Sequence, residues 1–218
     1  QAQPQRARRQ DVSKERWRRI HEAVKDSPYR ALYHLIMDGS LRLGEALALT
    51  WDDVHLGKPT EGKRPWVFVR AAIKERSRGD GRGIEQYRGK PKTDQSVRKI
   101  FLNEETAVFF HQLRRLQGKT PGLVFRSSGN PDREPNKGTV SRDFRSCMDA
   151  AGLTDITVRD LRHWAPTIML SEGVALPAVS KRLGHAQIST TVNRYSHVVL
   201  KDEEKAADAI EIWGKRRR

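Results

Sequence analysis

The stretch of sequence that decides both the fold and the chemistry runs from residue 157 to residue 198 and reads TVRDLRHWAPTIMLSEGVALPAVSKRLGHAQISTTVNRYSHV. Arg162 stands beside His163, His185 follows a glycine, and Tyr195 comes last. Each of them lies on or next to a segment whose apolar residues recur at helical spacing. Together these residue types suit attack on a phosphodiester.

The chemistry explains why these side chains belong together. Attack on a phosphodiester adds negative charge to the non-bridging oxygens, and guanidinium groups match that geometry through paired, charge-assisted hydrogen bonds. A tyrosine hydroxyl has an ordinary pKa of about 10. As a nucleophile it therefore needs nearby positive charge to favour the phenolate, or a base to take its proton. We expect this stretch to supply both.

The composition points to a polyanionic partner. The 218 residues include 42 lysines and arginines against 27 aspartates and glutamates, which gives a formal net charge of +15. Such an excess favours nucleic acid, because each neutralised phosphate releases condensed counterions. Cys147 is the only cysteine, so a reducing, cytoplasmic compartment fits. No apolar run approaches the ~20 residues that a membrane-spanning helix needs.

Several motifs that stand in the family's order make the sequence resemble the tyrosine recombinases, or phage-type integrases, over about residues 12 to 200. RDLRH, LGH and TTVNRYSH stand in the family's order, with nine residues between His185 and Tyr195. Upstream, DGSLRLGEALALTWDDV places Arg42 and Glu45 on the family's G-x-R-x-G-E pattern. PKTDQSVRKIFL places Lys92 where the family has a lysine in a β-hairpin.

The resemblance implies a role for each matching residue. Tyr195 would attack the scissile phosphate of double-stranded DNA and form a 3′-phosphotyrosine. Arg42 and Arg162 would clamp the non-bridging oxygens, His185 would hydrogen-bond one of them, and Lys92 would protonate the leaving 5′ oxygen. Glu45 would support this set, and neither a metal nor another cofactor would be required.

Arg159 departs from the family pattern. Where the family usually has a histidine three residues before the second arginine, TVRDLRH has Arg159. A guanidinium can bind phosphate, but it cannot accept the proton of the tyrosine. We therefore predict that Arg159 binds phosphate or adds to the local positive potential, and that a nearby water or His163 takes the proton of the tyrosine. A buried structural role is the other interpretation of His163.

The predicted fold is α+β and mostly α, with a small antiparallel β-sheet. Residues 11–200 would form the catalytic domain, residues 1–10 a basic linker or tail, and residues 201–218 a tail helix. PWVFVRAAI, from Pro65 to Ile73, predicts one strand, and a second strand follows at about Ser96 to Leu102. A helix beginning near Leu41 would carry Arg42 in its first turn.

The long connection from Lys74 to Pro91 is rich in glycine and arginine. It is longer than an ordinary hairpin loop, and two interpretations stay open, a disordered insertion and a flap along DNA. The flap would place five basic residues on the DNA: Arg76, Arg78, Arg82, Arg88 and Lys90.

Several alternatives follow from the same residues. A type IB topoisomerase shares the chemistry, and a non-catalytic DNA-binding protein could share the fold. Metal-dependent catalysis is disfavoured because the seven histidines show no ligand spacing of the HxxxH type. The resemblance further implies a homotetramer assembled on DNA by exchange of the C-terminal tail, with accessory DNA-bending proteins, in a bacterial cytoplasm.

Overall fold

The computed structural model describes residues 12–57, 62–79, 83–118 and 120–199, with the backbone alone for residues 196–199. The predictions for residues 1–10, for Arg82 and for residues 201–218 lie outside these ranges. Within the described ranges, every helix is too short or too polar to cross a lipid bilayer.

Helices dominate the structure, as the sequence predicts. In chain order they are α1 (Lys14–Ala23), α2 (Arg30–Gly39), α3 (Leu43–Leu47), α4 (Glu104–Gln117), α5 (Lys137–Ala150), α6 (Val158–Ser171), α7 (Leu176–Leu183) and α8 (Ile188–Val199). Helix α2 is central, because it packs against α3, α4 and α6.

Five short strands form two small antiparallel sheets. One sheet has the order β1 (Val54–His55), β2 (Trp66–Val69) and β5 (Arg98–Phe101), and the other pairs β3 (Ala72–Ser77) with β4 (Ile84–Gly89). This confirms the predicted α+β class, mostly α with antiparallel strands.

The single strand predicted from Pro65 to Ile73 is wrong, because the chain leaves the first sheet after Val69. The break coincides with an ion pair between Arg70 and the buried carboxylate of Asp53. Beyond it, β3 begins at Ala72 and belongs to the second sheet, which packs on α3.

The connection from Lys74 to Pro91 is mostly ordered as the β3–β4 hairpin, so the disordered-insertion interpretation is wrong for its described residues. The strands pair in register from Ala72 opposite Gly89 to Ser77 opposite Ile84. Cross-strand contacts stabilise such a pair. Arg76 lies opposite Glu85, and its Nε donates to that carboxylate at 3.0 Å.

A close approach between this hairpin and α3 explains one glycine of the Arg42 motif. A Cβ atom at Gly44 would lie 2.4 Å from the carbonyl oxygen of Ile73. Since no real side chain tolerates that distance, glycine is required for the hairpin to pack on α3. The hairpin then holds Glu75 at the edge of the cleft described below.

Two groups of buried apolar side chains hold the elements together. The larger one packs the helices from α1 through α6 against the first sheet, and it includes Tyr33, Phe110 and Phe144. The smaller one consists of Leu170, Val179, Leu183 and Tyr195, from α6, α7 and α8. Its aliphatic members pack α7 against α6, and Tyr195 itself joins α8 to both helices, so this group fixes His185 and Tyr195 relative to Arg162.

Candidate functional site

A cleft of about 790 Å³ opens where α3, α5, α6 and α8 meet the loop after α7. Among the residues that the structure describes, its lining contains six cationic side chains and one carboxylate, that of Glu75. Such an excess of positive charge makes the cleft suited to an anion with several oxygens. The six are Arg42, Lys137, Arg145, Arg159, Arg162 and Arg194.

Glu45 organises the arginines at the floor of this cleft. Its carboxylate is 2.5 Å from Arg42 Nη1, 3.0 Å from Arg98 Nη2 and 3.7 Å from Arg162 Nη1. The side chains of Glu45, Arg98 and Arg162 are 2%, 3% and 7% exposed, whereas that of Arg42 is 41% exposed. One buried anion thus holds two buried cations and one that reaches into the cleft.

The charges of this cluster shift the pKa values of its members. Burial by itself would raise the pKa of Glu45, but Arg98, Arg162 and Arg42 together hold it below its usual value. Burial lowers the pKa of Arg162 to about 9, with Glu45 opposing that shift. At neutral pH the cluster therefore consists of one carboxylate and three guanidinium ions.

Backbone carbonyl groups complete the cluster. Arg162 donates from Nη1 to the carbonyl of Ser40 and from Nη2 to that of Leu183, the latter at 2.7 Å. Arg98 donates to the carbonyls of Arg182 at 2.7 Å and Ser96 at 2.8 Å. Each guanidinium is thus fixed by several bonds in a fork geometry, which orients its remaining donors before any ligand arrives.

The first turn of α6 sets the direction of Arg159 and Arg162. Thr157 is the N-cap, and the Asp160 carboxylate accepts from its backbone N–H at 2.9 Å and from its hydroxyl at 2.5 Å. This capping box fixes where the helix begins. Arg159 and Arg162 are three residues apart and so share a face, which lines the cleft.

Gly184 allows His185 to reach the same cleft. It ends α7 in the left-handed conformation, with φ +65°, where a side chain would be strained. A Cβ there would also lie 3.0 Å from Arg98 Nη1. The next residue, His185, lines the cleft, and its Nδ1 lies 2.8 Å from the hydroxyl of the buried Thr191.

Tyr195 lies behind the wall of the cleft. Its side chain is 2% exposed and packs against Leu170, Val179 and Leu183. The backbone leaves helical geometry at this residue, with φ −116° and ψ 17°. Burial raises the pKa of the phenol, although Arg194 and Arg162 oppose that shift. Nearby positive charge thus acts in the expected direction, but it does not outweigh burial in this conformation, so the pKa of Tyr195 stays above its ordinary value.

His163 connects Tyr195 to the cleft. Its Nδ1 lies 3.3 Å from the Tyr195 hydroxyl, and its Nε2 lies 2.9 Å from Arg194 Nη2. Burial, together with the charges of Arg194, Arg162 and Arg159, lowers its pKa to about 3. The His163 ring is therefore neutral at physiological pH and bridges the two consecutive residues of α8.

The predicted catalytic and supporting residues thus fall into four groups. Arg42, Arg159, Arg162, His163 and His185 line the cleft, Glu45 holds the arginines, and Tyr195 is buried beside them. Lys92 is exposed in the segment between β4 and β5 and does not line the cleft.

The basic residues of the hairpin have different surroundings. Arg78 and Lys90 are exposed, whereas Arg76 is paired with Glu85. Arg88 donates from Nε to the carbonyl of Ala48 at 3.2 Å, so part of its guanidinium is bound to the body of the domain.

Sequence analysis missed four cationic residues of the site: Arg98, Lys137, Arg145 and Arg194. For Arg98 a signal existed. The alternation in VRKIFL places Arg98 on the same strand face as Ile100, and the structure buries both. A charged residue at an inward strand position indicates a buried ion pair.

One group of potential metal ligands lies away from this cleft. His21, His34 and Glu105 place their ligand atoms within 4.8 Å of one another. They come from α1, α2 and α4, which is why sequence spacing did not reveal them. The cleft beside them is also lined by positive charges that oppose cation binding, those of Arg18, Lys25 and Arg30.

The chain matches the phage integrase family over residues 10–201. It is 27% identical over 212 residues to a tyrosine recombinase XerC-like protein of Caldanaerobacter subterraneus subsp. tengcongensis, covering 91% of this chain and 53% of that protein. It is 29% identical over 192 residues to the putative prophage phiRv2 integrase of Mycobacterium tuberculosis, covering 86% and 47%.

Solved structures share the fold. The Tn1549 transposon integrase in complex with transposon right end DNA superimposes with a TM-score of 0.71 at 17% identity, over 90% of this chain and 65% of that one. The XerA recombinase gives a TM-score of 0.63 at 23% identity, over 95% and 63%.

The chain spans about half the length of the curated relatives it matches. Those relatives are recombinases and integrases, which favours the recombinase expectation over the topoisomerase-like alternative. The match to the family model covers most of the sequence, and it includes Arg42, Arg162 and His185, which line the cleft, and Tyr195, which is buried beside it. The chain therefore belongs to the phage integrase family.

Proposed function

We propose that this chain is the catalytic part of a site-specific recombinase that cuts and rejoins double-stranded DNA through a 3′-phosphotyrosine. The observation that carries the proposal is the cleft itself. It brings Arg42, Arg162 and His185 to one place, with the hydroxyl of Tyr195 next to it, one hydrogen bond away through His163.

The scissile phosphate would occupy the cleft. Arg42 and Arg162, held by Glu45, would each donate to a non-bridging oxygen. His185 would donate from Nε2, and the Thr191 hydroxyl would support that tautomer by donating its hydrogen to Nδ1. Fixed donors of this kind act in the transition state without reorganising.

Covalent chemistry would follow in two balanced steps. The Tyr195 hydroxyl would give its proton to a base as its oxygen bonds to phosphorus, while the bond from phosphorus to the 5′ oxygen breaks and Lys92 protonates that oxygen. In the second step a 5′-hydroxyl would give its proton to Lys92 and attack the phosphotyrosine, and the departing Tyr195 oxygen would take a proton back from the base. Because the phosphotyrosine keeps the energy of the phosphodiester, resealing needs neither ATP nor a metal.

Lys92 and Tyr195 would both move when DNA binds. Lys92 is exposed outside the cleft, and Tyr195 is buried behind it. The phosphate would sit between them. Catalytic contacts that are absent from a free enzyme often form only in the complex with substrate.

The remaining basic surface would hold the flanking duplex. In the connection from Lys74 to Pro91 these residues would be Arg76, Arg78, Arg82, Arg88 and Lys90, and in the cleft wall Lys137 and Arg145. The proposed assembly is a homotetramer on DNA, joined by exchange of residues 201–218 and assisted by DNA-bending proteins. The relatives are bacterial proteins, so the proposed place of action is DNA in a bacterial cytoplasm.

The test is covalent trapping on nicked duplexes. A pool of nicked duplexes of randomised sequence is incubated with the protein, and DNA that stays attached after denaturation is amplified. Wild-type protein should enrich a sequence, and Tyr195→Phe should bind that DNA with unchanged affinity but form no adduct, because cationic contacts dominate binding. A variant that still forms the adduct would assign the attack to another residue. If the wild-type protein forms no adduct, the catalytic proposal is wrong and the chain is a non-catalytic DNA-binding protein.

A further inference from the structure

The hydrogen bonds around His163 determine which of its ring nitrogens carries the proton. Arg194 Nη2 lies 2.9 Å from Nε2, and a guanidinium can only donate. Nε2 must therefore be the unprotonated nitrogen. In a neutral ring the proton is then on Nδ1, which faces the Tyr195 hydroxyl at 3.3 Å.

This tautomer blocks the transfer that catalysis needs. With Nδ1 protonated, His163 donates a hydrogen bond to the Tyr195 oxygen and cannot accept the phenolic proton. Arg159 occupies the position from which the family's histidine would accept it, and a guanidinium cannot replace that function. Within the described residues, no other titratable group hydrogen-bonds the Tyr195 hydroxyl.

Arg194 is placed to respond to the substrate. It is exposed and lines the same cleft as Arg42, Arg159 and Arg162. A phosphate in that cleft would offer it two charged oxygens, and a guanidinium binds phosphate through two parallel hydrogen bonds, whereas the imidazole nitrogen accepts only one and carries no charge. The neutral His163 ring would then lose Arg194 to the phosphate.

We propose that Arg194 is a substrate-operated gate on His163, which becomes the general base for Tyr195 only when a DNA phosphate draws Arg194 away. Arg194 is thus a positioning residue, acting through His163. The inference rests on the proposed function for its catalytic step, whereas the tautomer change can be observed without catalysis.

Each proton in this sequence has a destination. After Arg194 leaves, Nε2 takes a proton from water in the open cleft, and Nδ1 returns one to it. Nδ1 then accepts the phenolic proton as the Tyr195 oxygen bonds to phosphorus. His163 ends as an imidazolium, and the leaving 5′ oxygen takes its proton from Lys92.

The first measurement is spectroscopic. NMR of the imidazole nitrogens in nitrogen-labelled protein distinguishes the two neutral tautomers of His163. The free protein should show Nδ1–H, and addition of a short duplex of arbitrary sequence at low salt should convert it to Nε2–H. Arg194→Ala should show the Nε2–H form without DNA. Arg145→Ala is the matched control, because it removes a cation from the same cleft without touching His163, and its free protein should keep Nδ1–H.

The second measurement is single-turnover cleavage of the DNA selected by covalent trapping. His163→Asn keeps a donor toward Tyr195 but cannot take a proton, and it should cleave about 10²- to 10⁴-fold more slowly, the usual contribution of a general base. Its DNA affinity should stay unchanged.

The outcomes separate the two proposals. An adduct with wild-type protein, combined with an unchanged His163 tautomer on DNA, would overturn the gate and leave the recombinase proposal standing. Cleavage by His163→Asn at the wild-type rate would do the same. Absence of any wild-type adduct would instead overturn the proposed function.

Discussion

Removal of the charge on Glu45 tests the physical account of the site most directly. The substitution Glu45→Gln keeps the shape of the side chain and deletes its negative charge. Arg98 and Arg162 would then be left as buried cations next to a neutral amide. Arg42 would be affected less, because its side chain is 41% exposed and water screens it.

The magnitude follows from burial and distance. The Glu45 and Arg98 side chains are 2% and 3% exposed and lie 3.0 Å apart. Breaking one partner of a buried ion pair costs about 3 to 5 kcal/mol, because the remaining charge is uncompensated. That is a large part of the roughly 5 to 15 kcal/mol that stabilises a typical domain. For a chain of this size the melting temperature should fall by roughly 6 to 20 °C.

Urea denaturation followed by circular dichroism provides the assay. The dependence of the unfolding free energy on urea concentration should have the same slope in the wild type and in Glu45→Gln. Glu75→Gln is the matched control, since that carboxylate lines the same cleft but is 42% exposed and 3.5 Å from Lys137. An exposed pair contributes about 0 to 1 kcal/mol. A loss below 1 kcal/mol for Glu45→Gln would refute the view that this carboxylate stabilises the buried arginines.

Four further predictions address other residues. Lys92→Ala should slow cleavage of ordinary DNA but not of a 5′-phosphorothiolate, whose sulfur leaves without a proton; equal defects in both rates would make Lys92 a clamp. Arg159→His should cleave faster than Arg159→Ala in single-turnover assays, because an imidazole can carry charge and exchange protons. An equal loss of cleavage rate in both variants would mean that the guanidinium itself is required. Sedimentation should show a monomer without DNA, and deletion of residues 201–218 should impair recombination more than half-site binding; a stable tetramer without DNA would contradict tail exchange as the means of assembly. His34 is buried, and burial followed by the charges of His21 and Arg30 lowers its pKa to about 3. Unfolding therefore takes up a proton at His34 once the pH falls below about 6.5. Near pH 5 this should lower the free energy of unfolding by about 1 to 2 kcal/mol, and urea titrations of His34→Gln should lack this part of the loss.

The sequence predicted the helical part of the site well, for identifiable reasons. Arg162 and His185 lie next to strong local signals, a capping box and a left-handed glycine, so short segments fix their direction. Arg42 is likewise fixed by a local signal, because it is the N-cap of the short helix α3. The structure thus places it just before α3 rather than in its first turn.

Long-range pairing escaped sequence reasoning. The β3–β4 hairpin has polar residues on both faces, so alternation does not mark its strands, and its packing depends on a close contact with Gly44. Arg98 joins Glu45 across 53 positions of sequence. The burial of Tyr195 depends on how α8 packs on α6 and α7, which its own spacing does not encode.

The carbonyl groups that hold Arg162 have a consequence for how the protein is made. Ser40 and Leu183 both accept from this guanidinium, although they lie far apart in the chain, so Arg162 is held in place only when both segments are present. A nascent chain that has not yet emerged past α7 carries abundant positive charge and can adhere to nucleic acid, but Arg162 is not yet held. Under the proposed function Tyr195 is the attacking residue and is synthesised later still, so a translation product that stops before it would leave no covalent lesion on the genome.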